Sequence, residues 1–298
     1  IFVLNGFAGT GKTTLIAALV AALKELRIKP VLLAPTGRAA KVLARYCGEQ
    51  ALTIHKRIYR QRTNADYESK FSLDFNREQG AVFIVDEASM LSDSTGDGAL
   101  FGSGSLLEDL VSYVRSGRGC RLILVGDSAQ LPPVGCDFSP ALDPATVSRY
   151  GEVVYGLMDE VVRQQMQSGI LFNATLVRCM LENRIYEIPK FEMDYPDFES
   201  VEGGDFMEKL QDAFDRYGRD EVIVVTRSNK RANRYSEGIR RNVLSAEEEI
   251  ESNDMLMVVK NNYYYTGHTE NCPMHFIANG DIARLKRLRR YEDFYGFH

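Results

Sequence analysis

A chain of 298 residues with 45% hydrophobic and 26% charged residues is ordinary globular material, with two domains as the expectation and enough apolar residues for a sizeable core. A net charge of −5 excludes a protein that coats DNA electrostatically over its whole surface. No apolar run approaches membrane-spanning length and no signal or transit segment is read, so no membrane partner is expected.

Ile1 to Leu4 is an apolar run that reads as a buried strand. The first residue already lies inside it, so the natural N-terminus is expected further upstream. The run leads into NGFAGTGKTT, in which Gly6, Gly11, Lys12 and Thr13 fit G-x-x-x-x-G-K-[ST]. Leu15, Ile16, Leu19, Val20, Leu23 and Leu26 then form a helical apolar stripe. Glycines let such a loop curl until backbone N–H groups and the helix N-terminus face phosphate oxygens. Gly6, Ala8, Gly9, Thr10, Gly11, Lys12, Thr13 and Thr14 are therefore the expected binding loop for a nucleoside triphosphate. Lys12 supplies a point charge to the β- and γ-phosphates, and the Thr13 hydroxyl ligates Mg²⁺.

Val31 to Ala34 is a second strand, followed by PTGRAAKVLARY, where Ala39, Leu43 and Tyr46 share a helix face. LTIHKRIYRQR comes next. Between Lys24 and Arg62 the local charge balance is +8, whereas from Glu187 to Glu221 it is −8. The basic stretch is a groove for a polyanion or a solvated helix face; charge alone does not choose. Residues 63–79 are polar with an alternating piece, Phe71 to Phe75, and read as a small hairpin-like insertion.

Ala81 to Val85 is a third strand and ends in Asp86-Glu87. A Gly-, Ser- and Asp-rich loop follows, then a helix through Leu106, Leu110 and Val114. Cys120 to Val125 is a fourth strand and runs into GDSAQLPPVG. This alternation calls for a parallel sheet covered on both faces. Pro140, Pro144 and Gly151 lie in a polar segment that suggests a boundary, giving domains 1–149 and 150–298. The second would contain helices around Ile170–Leu181, Phe206–Tyr217 and Ala232–Val243, a buried strand Val222–Val225, and strands at Met255–Val259 and Ile282–Leu288.

Five strands end in polar clusters: Gly6 onward, Pro35-Thr36, Asp86-Glu87, Gly126-Asp127 and Thr226–Asn229. Open parallel sheets bind ligands at those carboxyl ends. An acidic pair there suits nucleotide hydrolysis. Asp86 would hold Mg²⁺ and Glu87 would orient and deprotonate the attacking water. The alternative is an ordinary surface turn. Gln130 is placed to reach the γ-phosphate or that water. Arg163 could supply a second positive charge. The five cysteines are widely spaced and contain no C-x-x-C pair, which suits a reduced, cytoplasmic protein. His268, Cys272 and His275 fall close together, but without a fourth ligand or zinc spacing a polar connection between strands is the plainer reading.

GFAGTGKTT, APTGRAAKVL, TIHK, VDEAS, VGDSAQLPPVG and MDEVVRQ, in this order and at these spacings, resemble superfamily 1 DNA helicases of the 5′-to-3′ branch, RecD-like and Pif-type. The resemblance implies two RecA-like parallel-sheet domains of the P-loop NTPase fold, the second incomplete here. It implies ATP and Mg²⁺ at Lys12, Thr13, Asp86 and Glu87, coupling through Gln130, and contact of Arg163 with the γ-phosphate. It places DNA against Pro35, Thr36, Gly37, Arg38, Thr53, His55, Lys56, Thr226 and Asn229, with helix capping and packing as the other reading of Thr53 and His55. It puts a strand-separating hairpin at the 63–79 insertion. Single-stranded DNA and duplex junctions are the implied partners, with repair or nuclease subunits as further ones, and a monomer is expected.

The family's last two motifs and its adenine-recognition segment upstream of the loop are absent from the sequence. A fragment of a longer helicase is expected, one that binds ATP far better than it hydrolyses it. A nuclease reading finds no acid cluster, since Glu68-Ser69-Lys70 has no upstream Pro-Asp partner. A non-motor nucleotide switch that gates DNA binding is the remaining alternative.

Overall fold

Residues 1–63, 69–93, 102–160, 168–259, 277 and 280–288 are described by a computed structural model. The first elements alternate: β1 (Phe2–Gly6), α1 (Lys12–Glu25), β2 (Pro30–Ala34), α2 (Gly37–Cys47), β3 (Ala51–Thr53) and α3 (Ile54–Ile58). An antiparallel hairpin of β4 (Tyr59–Thr63) and β5 (Ser69–Leu73) follows, then β6 (Val82–Val85), α4 (Leu106–Ser116), β7 (Arg121–Gly126), a short α5 (Pro144–Val147) and β8 (Val154–Met158). Local chemistry sets the helix ends. The hydroxyls of Thr36 and Ser105 accept the amides of Ala39 and Glu108 at the starts of α2 and α4, and Gly48 closes α2 in the left-handed region at φ 64°.

Six strands form one sheet in the order β3-β2-β6-β7-β1-β8, every neighbouring pair parallel. Because side chains alternate along a strand, each central strand feeds two cores. Leu4, Leu32, Ala34, Val82, Ile84 and Val125 pack against Ile16, Val20 and Leu23 of α1 and Ala40 and Leu43 of α2. Val3, Leu33, Phe83, Val85 and Leu124 pack on the other face against Ile54 and Ile58 of α3, Leu107, Leu110 and Val114 of α4, and Ala141 and Leu142. Each fully buried Leu, Ile or Phe contributes about 1.5–3 kcal/mol through removal from water.

The connections leaving β1 and β7 diverge. The chain after β1 crosses on the α1 face to reach β2; the chain after β7 crosses β1 on the other face to reach β8. The crevice of such a sheet opens where neighbouring connections part, at the carboxyl ends of β1 and β7. Gly6 and Gly126 stand there.

Two compact units emerge, one of residues 1–164 with 257–281 and one of 165–256 with 282–298. The boundary thus falls at 164/165 rather than at 149/150. The prolines between Pro140 and Gly151 suggest a linker, yet Ala141 and Val147 are fully buried in the first core. Val154–Met158, which falls inside the expected second domain of 150–298, is the edge strand beside β1.

The second unit carries α6 (Gly169–Glu182), α7 (Phe206–Tyr217) and α8 (Asn229–Asn242), close to the expected spans, with Ser168 and Ser228 as N-caps of α6 and α8. β9 (Met255–Met257) pairs with β10 (Ile282–Arg284). A second parallel sheet is not found among the described residues. Val222–Val225, expected as its strand, has no ladder, and Ile223 and Val225 are 79% and 85% exposed. An apolar run becomes a strand only where neighbours take up its N–H and C=O groups. None does so here among the described residues.

Candidate active site

The loop after β1 turns back on itself before α1 begins. Thr10 donates both its amide (3.3 Å) and its hydroxyl (2.8 Å) to the carbonyl of Phe7. Gly9 and Gly11 adopt φ 80° and 90°, a region that a side chain disfavours. Gly11 sits at the N-cap of α1 and offers no side chain to the first-turn amides, so these remain to meet an anion. Lys12 Nζ lies over the loop and donates to the carbonyls of Gly6 (2.6 Å) and Phe7 (2.9 Å). A Cβ on Gly6 would stand 3.1 Å from side-chain atoms of Lys12, Thr10 and Met158, so any larger residue there would have to push these neighbours aside. β8 braces it from beside, with the Phe7 amide on the Met158 carbonyl at 3.2 Å. Ala8 and Gly9 are exposed at the tip, Thr13 is half-buried and Thr14 exposed.

Asp86 and Glu87 leave the end of β6. The Asp86 amide donates to Leu33 O (3.0 Å), and Asp86 Oδ1 accepts the Glu87 amide (3.0 Å). Glu87 itself is in the left-handed region at φ 55°, a strained backbone for a residue with a side chain. Burial raises the carboxyl of Asp86 above its ordinary range, against the opposing pull of the Glu87 amide and the Lys12 charge. Burial also raises Glu87, and the charges of Asp86 and Asp127 push it further up while Lys12 opposes them. The Lys12 cation and the strand-end carboxylates therefore share one electrostatic neighbourhood. A raised glutamate is a better proton acceptor near neutral pH than an ordinary one.

Asp127 has no assigned role in the sequence reading, although Gly126-Asp127 stands among the strand-end clusters. It is 3% exposed, and its Oδ1 accepts the amide of Ala129 (2.9 Å). The same turn holds Gln130, whose amide donates to Asp127 O (3.2 Å) and whose side chain is exposed. Gly126 permits the turn after Glu87 to lie close, since a Cβ there would stand 2.9 Å from the Ser89 nitrogen. Asn5 is a second residue that motif reasoning misses. It is buried, donates to Ser128 Oγ (2.8 Å) and Tyr155 Oη (3.1 Å), and accepts the Ser128 amide (3.0 Å). It ties the start of the phosphate loop to the Gln130 turn and to β8. A lone polar residue just before a glycine-rich motif is its only signal in the sequence.

The residues expected to face DNA lie in two separate units. Pro35, Thr36, Gly37 and Arg38 join β2 to α2, with Arg38 exposed and its guanidinium donating to Gly280 O at 3.4 Å. Thr53 caps α3 by accepting the Lys56 amide (3.2 Å), so the capping reading holds for its hydroxyl. His55 is half-buried with its pKa lowered by burial, and its ring lies 5.7 Å from that of Tyr59. Lys56 is exposed. In the second unit the Thr226 hydroxyl donates to Ser228 O (3.1 Å), and Asn229 is the exposed first residue of α8. Arg163, residues 94–101 of the expected Gly-, Ser- and Asp-rich loop, and His268, Cys272 and His275 lie outside the described residues. Among the described residues no group of three or more His, Cys, Asp or Glu gathers as a metal site, and no helix is long and apolar enough to cross a membrane.

A family model described as an AAA domain matches residues 1–170. An ATP-dependent RecD2 DNA helicase of Deinococcus radiodurans is 33% identical over 132 residues, 44% of this chain and 16% of its own length. The RecBCD enzyme subunit RecD of Mycobacterium tuberculosis is 33% identical over 199 residues, 54% of this chain and 31% of its own length. The chain thus spans less than a third of either relative. Among solved structures, the Pif1 helicase of Candida albicans aligns at 16% identity with a TM-score of 0.39, covering 96% of this chain and 65% of its own.

Proposed function

The chain belongs to the AAA-domain family, and we propose that it is the ATP-hydrolysing segment of a DNA helicase that moves 5′-to-3′ along single-stranded DNA, in repair or recombination. The observation that carries the hydrolytic reading is the gathering of Lys12, Asp86, Glu87 and Asp127 at the carboxyl ends of one parallel sheet, where the Lys12 charge acts on Asp86 and Glu87 and the Asp127 charge acts on Glu87. The DNA reading is supported by the motif order in the sequence and by relatives that are named as DNA helicases.

The loop amides and Lys12 hold the β- and γ-phosphates of ATP. The donor set fits Mg²⁺, a hard cation content with one or two protein oxygens: the Thr13 hydroxyl and the Asp86 carboxylate. Bound there, Mg²⁺ neutralises charge on the phosphate oxygens. Glu87 takes the proton of the attacking water, its raised pKa suiting the task. The turn of Asp127 to Gln130, fastened to the phosphate loop through Asn5 and Ser128, carries the presence of the γ-phosphate outward to the nucleic acid. Arg163 is assigned the second positive charge on that phosphate. Arg38, His55 and Lys56 of the first unit, with Pro35, Thr36, Gly37 and Thr53 beside them, and Thr226 and Asn229 of the second grip the strand backbone in a manner indifferent to sequence. A duplex junction ahead of the strand is the substrate. An ATPase subunit of an exonuclease complex is the second reading; the M. tuberculosis relative is named as a subunit of a larger enzyme, RecBCD.

Fluorescence anisotropy of labelled oligo-dT over a salt series tests this, with and without a non-hydrolysable ATP analogue. Affinity is expected to change with the analogue and to fall steeply with salt. Replacing Arg38 and Lys56 together with Ala should flatten the log–log slope by about 0.7 for each phosphate that is no longer neutralised. Arg38 and Lys56 are better probes than Thr36 and Thr53, because those hydroxyls cap helices and their removal costs about 1 kcal/mol of stability whether or not DNA binds. Analogue binding with no strand affinity at any salt would overturn the DNA reading and leave the ATP site standing.

A further inference from the structure

The β4–β5 hairpin lies outside the six-stranded sheet and forms a two-stranded sheet of its own. Two strands alone are marginally stable in water, so what fixes such an arm is its root. Its ten described residues include Arg60, Arg62 and Lys70 and no acid, and the register sets Arg62 at the same rung as Lys70. By sequence the arm is basic, the composition of a segment that meets a polyanion.

The root converges on one carboxyl group. Tyr59, the first residue of β4, donates its hydroxyl to Asp109 Oδ2 at 2.7 Å; the two residues are only 9% and 5% exposed. Asp109 also accepts the Ser103 amide, at 3.0 and 3.3 Å to its two oxygens. The Gly102 amide donates to Phe71 O of β5 (2.9 Å), so both strands are held at this spot. Gly102 has φ 47°, and a Cβ on it would fall 1.9 Å from Asp109 Oδ2 and 2.7 Å from the Tyr59 ring. The Arg60–Asp74 ion pair (2.9 Å), the Asp74 amide on Ile58 O (2.7 Å) and the packing of Phe71 and Leu73 against the core add to the base.

Asp109 belongs to α4, and α4 hangs directly from the hydrolytic turn. The Met90 amide donates to Glu87 O (3.2 Å), the Leu91 amide to Ala88 O (3.1 Å), and the Leu107 amide at the head of α4 to Ser92 O (3.1 Å). Leu91 and Leu107 are fully buried. The strained Glu87 turn is thereby joined to the first turn of α4 through packed, hydrogen-bonded backbone. Asp109 is in that region.

We infer that Asp109, through its buried hydrogen bond with Tyr59, is the positioning residue that sets the basic hairpin according to the nucleotide at the Lys12–Glu87 site. The inference rests on the proposed function for its purpose, since it makes the hairpin the arm that meets the nucleic acid, but its coupling is measurable without any DNA. Burial and the Asp109 partner hold the Tyr59 hydroxyl far above its ordinary pKa, which keeps it a donor through the working pH range.

Hydrogen exchange of the amides in residues 59–63 and 69–73, followed by mass spectrometry with and without a non-hydrolysable ATP analogue, tests the inference. In the unaltered chain the analogue is expected to change exchange rates in these segments by about tenfold, a coupling of ordinary allosteric size. Tyr59→Phe keeps the ring and its packing against His55 and removes only the hydroxyl; the nucleotide response of the hairpin should vanish while analogue affinity stays within about twofold. Asp109→Ala should do the same, and the double variant should lose no more than either single one, as expected for two ends of one bond. A merely structural role would raise exchange equally with and without the analogue and leave the ratio intact, which would overturn the inference. So would a hairpin whose exchange ignores nucleotide in the unaltered chain. Nucleotide-dependent hairpin exchange in a chain with no affinity for oligo-dT would sink the helicase reading and leave this coupling in place.

Discussion

Glu87→Gln is expected to lower ATP hydrolysis by about 10²- to 10⁴-fold, the usual worth of a positioned general base, while ATP binding persists. The amide keeps the shape of the side chain and cannot take the proton of water. The phosphate loop and Lys12 are untouched, so a fluorescent ATP analogue should bind at least as tightly as before. The same variant is expected to melt at a higher temperature. Burial and the neighbouring carboxylates raise the folded-state pKa of Glu87 above its unfolded value. Between those two values stability therefore falls as pH rises, and above the folded pKa the penalty is fully present. Near neutral pH glutamine removes it. Hydrolysis by the unaltered chain should accordingly fall away on acidification with a limb above the ordinary glutamate range. Asp127→Asn, which removes one of the charges pushing Glu87 up, should shift that limb to lower pH. Hydrolysis by Glu87→Gln within about tenfold of the unaltered chain would assign the base elsewhere.

The parts of this site that the sequence made legible are those whose chemistry is local. Gly9 and Gly11 are required by positive φ within a few residues of Lys12, and Asp86-Glu87 is recognisable because it directly follows four buried strand residues. The hairpin was legible through the Phe71–Leu73 alternation, although it begins at Tyr59, earlier than the polarity of residues 63–79 suggested. Illegible were the pairings between distant segments. Whether Val154–Met158 opens a new domain or closes an old sheet depends on β1, some 150 residues earlier, and both outcomes use the same apolar run. Asn5 with Tyr155, and Tyr59 with Asp109, are contacts of the same kind. Val222–Val225 fails in the opposite direction: its residues have strand character and its backbone has no ladder. Thr53 carries both a capping and a binding signature, and geometry assigns its hydroxyl, and that of Thr36 as well, to capping without removing the backbone around them from consideration.

Phe83→Ala should cost about 3–5 kcal/mol, the range for emptying a fully buried aromatic site that cannot collapse around the gap. Phe83 has no exposed surface; its ring meets that of Tyr113 edge-on with centroids 6.0 Å apart, at an interplanar angle of 84°. Neighbours from β7, α3 and α4 enclose it in the same core. For a unit of this size such a loss lowers the melting temperature by roughly 10 °C. The position matters for function because Phe83 and Val85 anchor the strand that delivers Asp86, so that loosening the core loosens the carboxylates. ATP supplies the discriminating control. A ligand that binds only the folded unit stabilises it by about 2.7 kcal/mol at a hundred times its dissociation constant, which should restore most of the melting temperature. Phe83→Ala combined with Lys12→Ala should show the same destabilisation and no rescue, since the phosphates lose their charged partner. Rescue of equal size in both would mean that nucleotide binds elsewhere than the loop between β1 and α1.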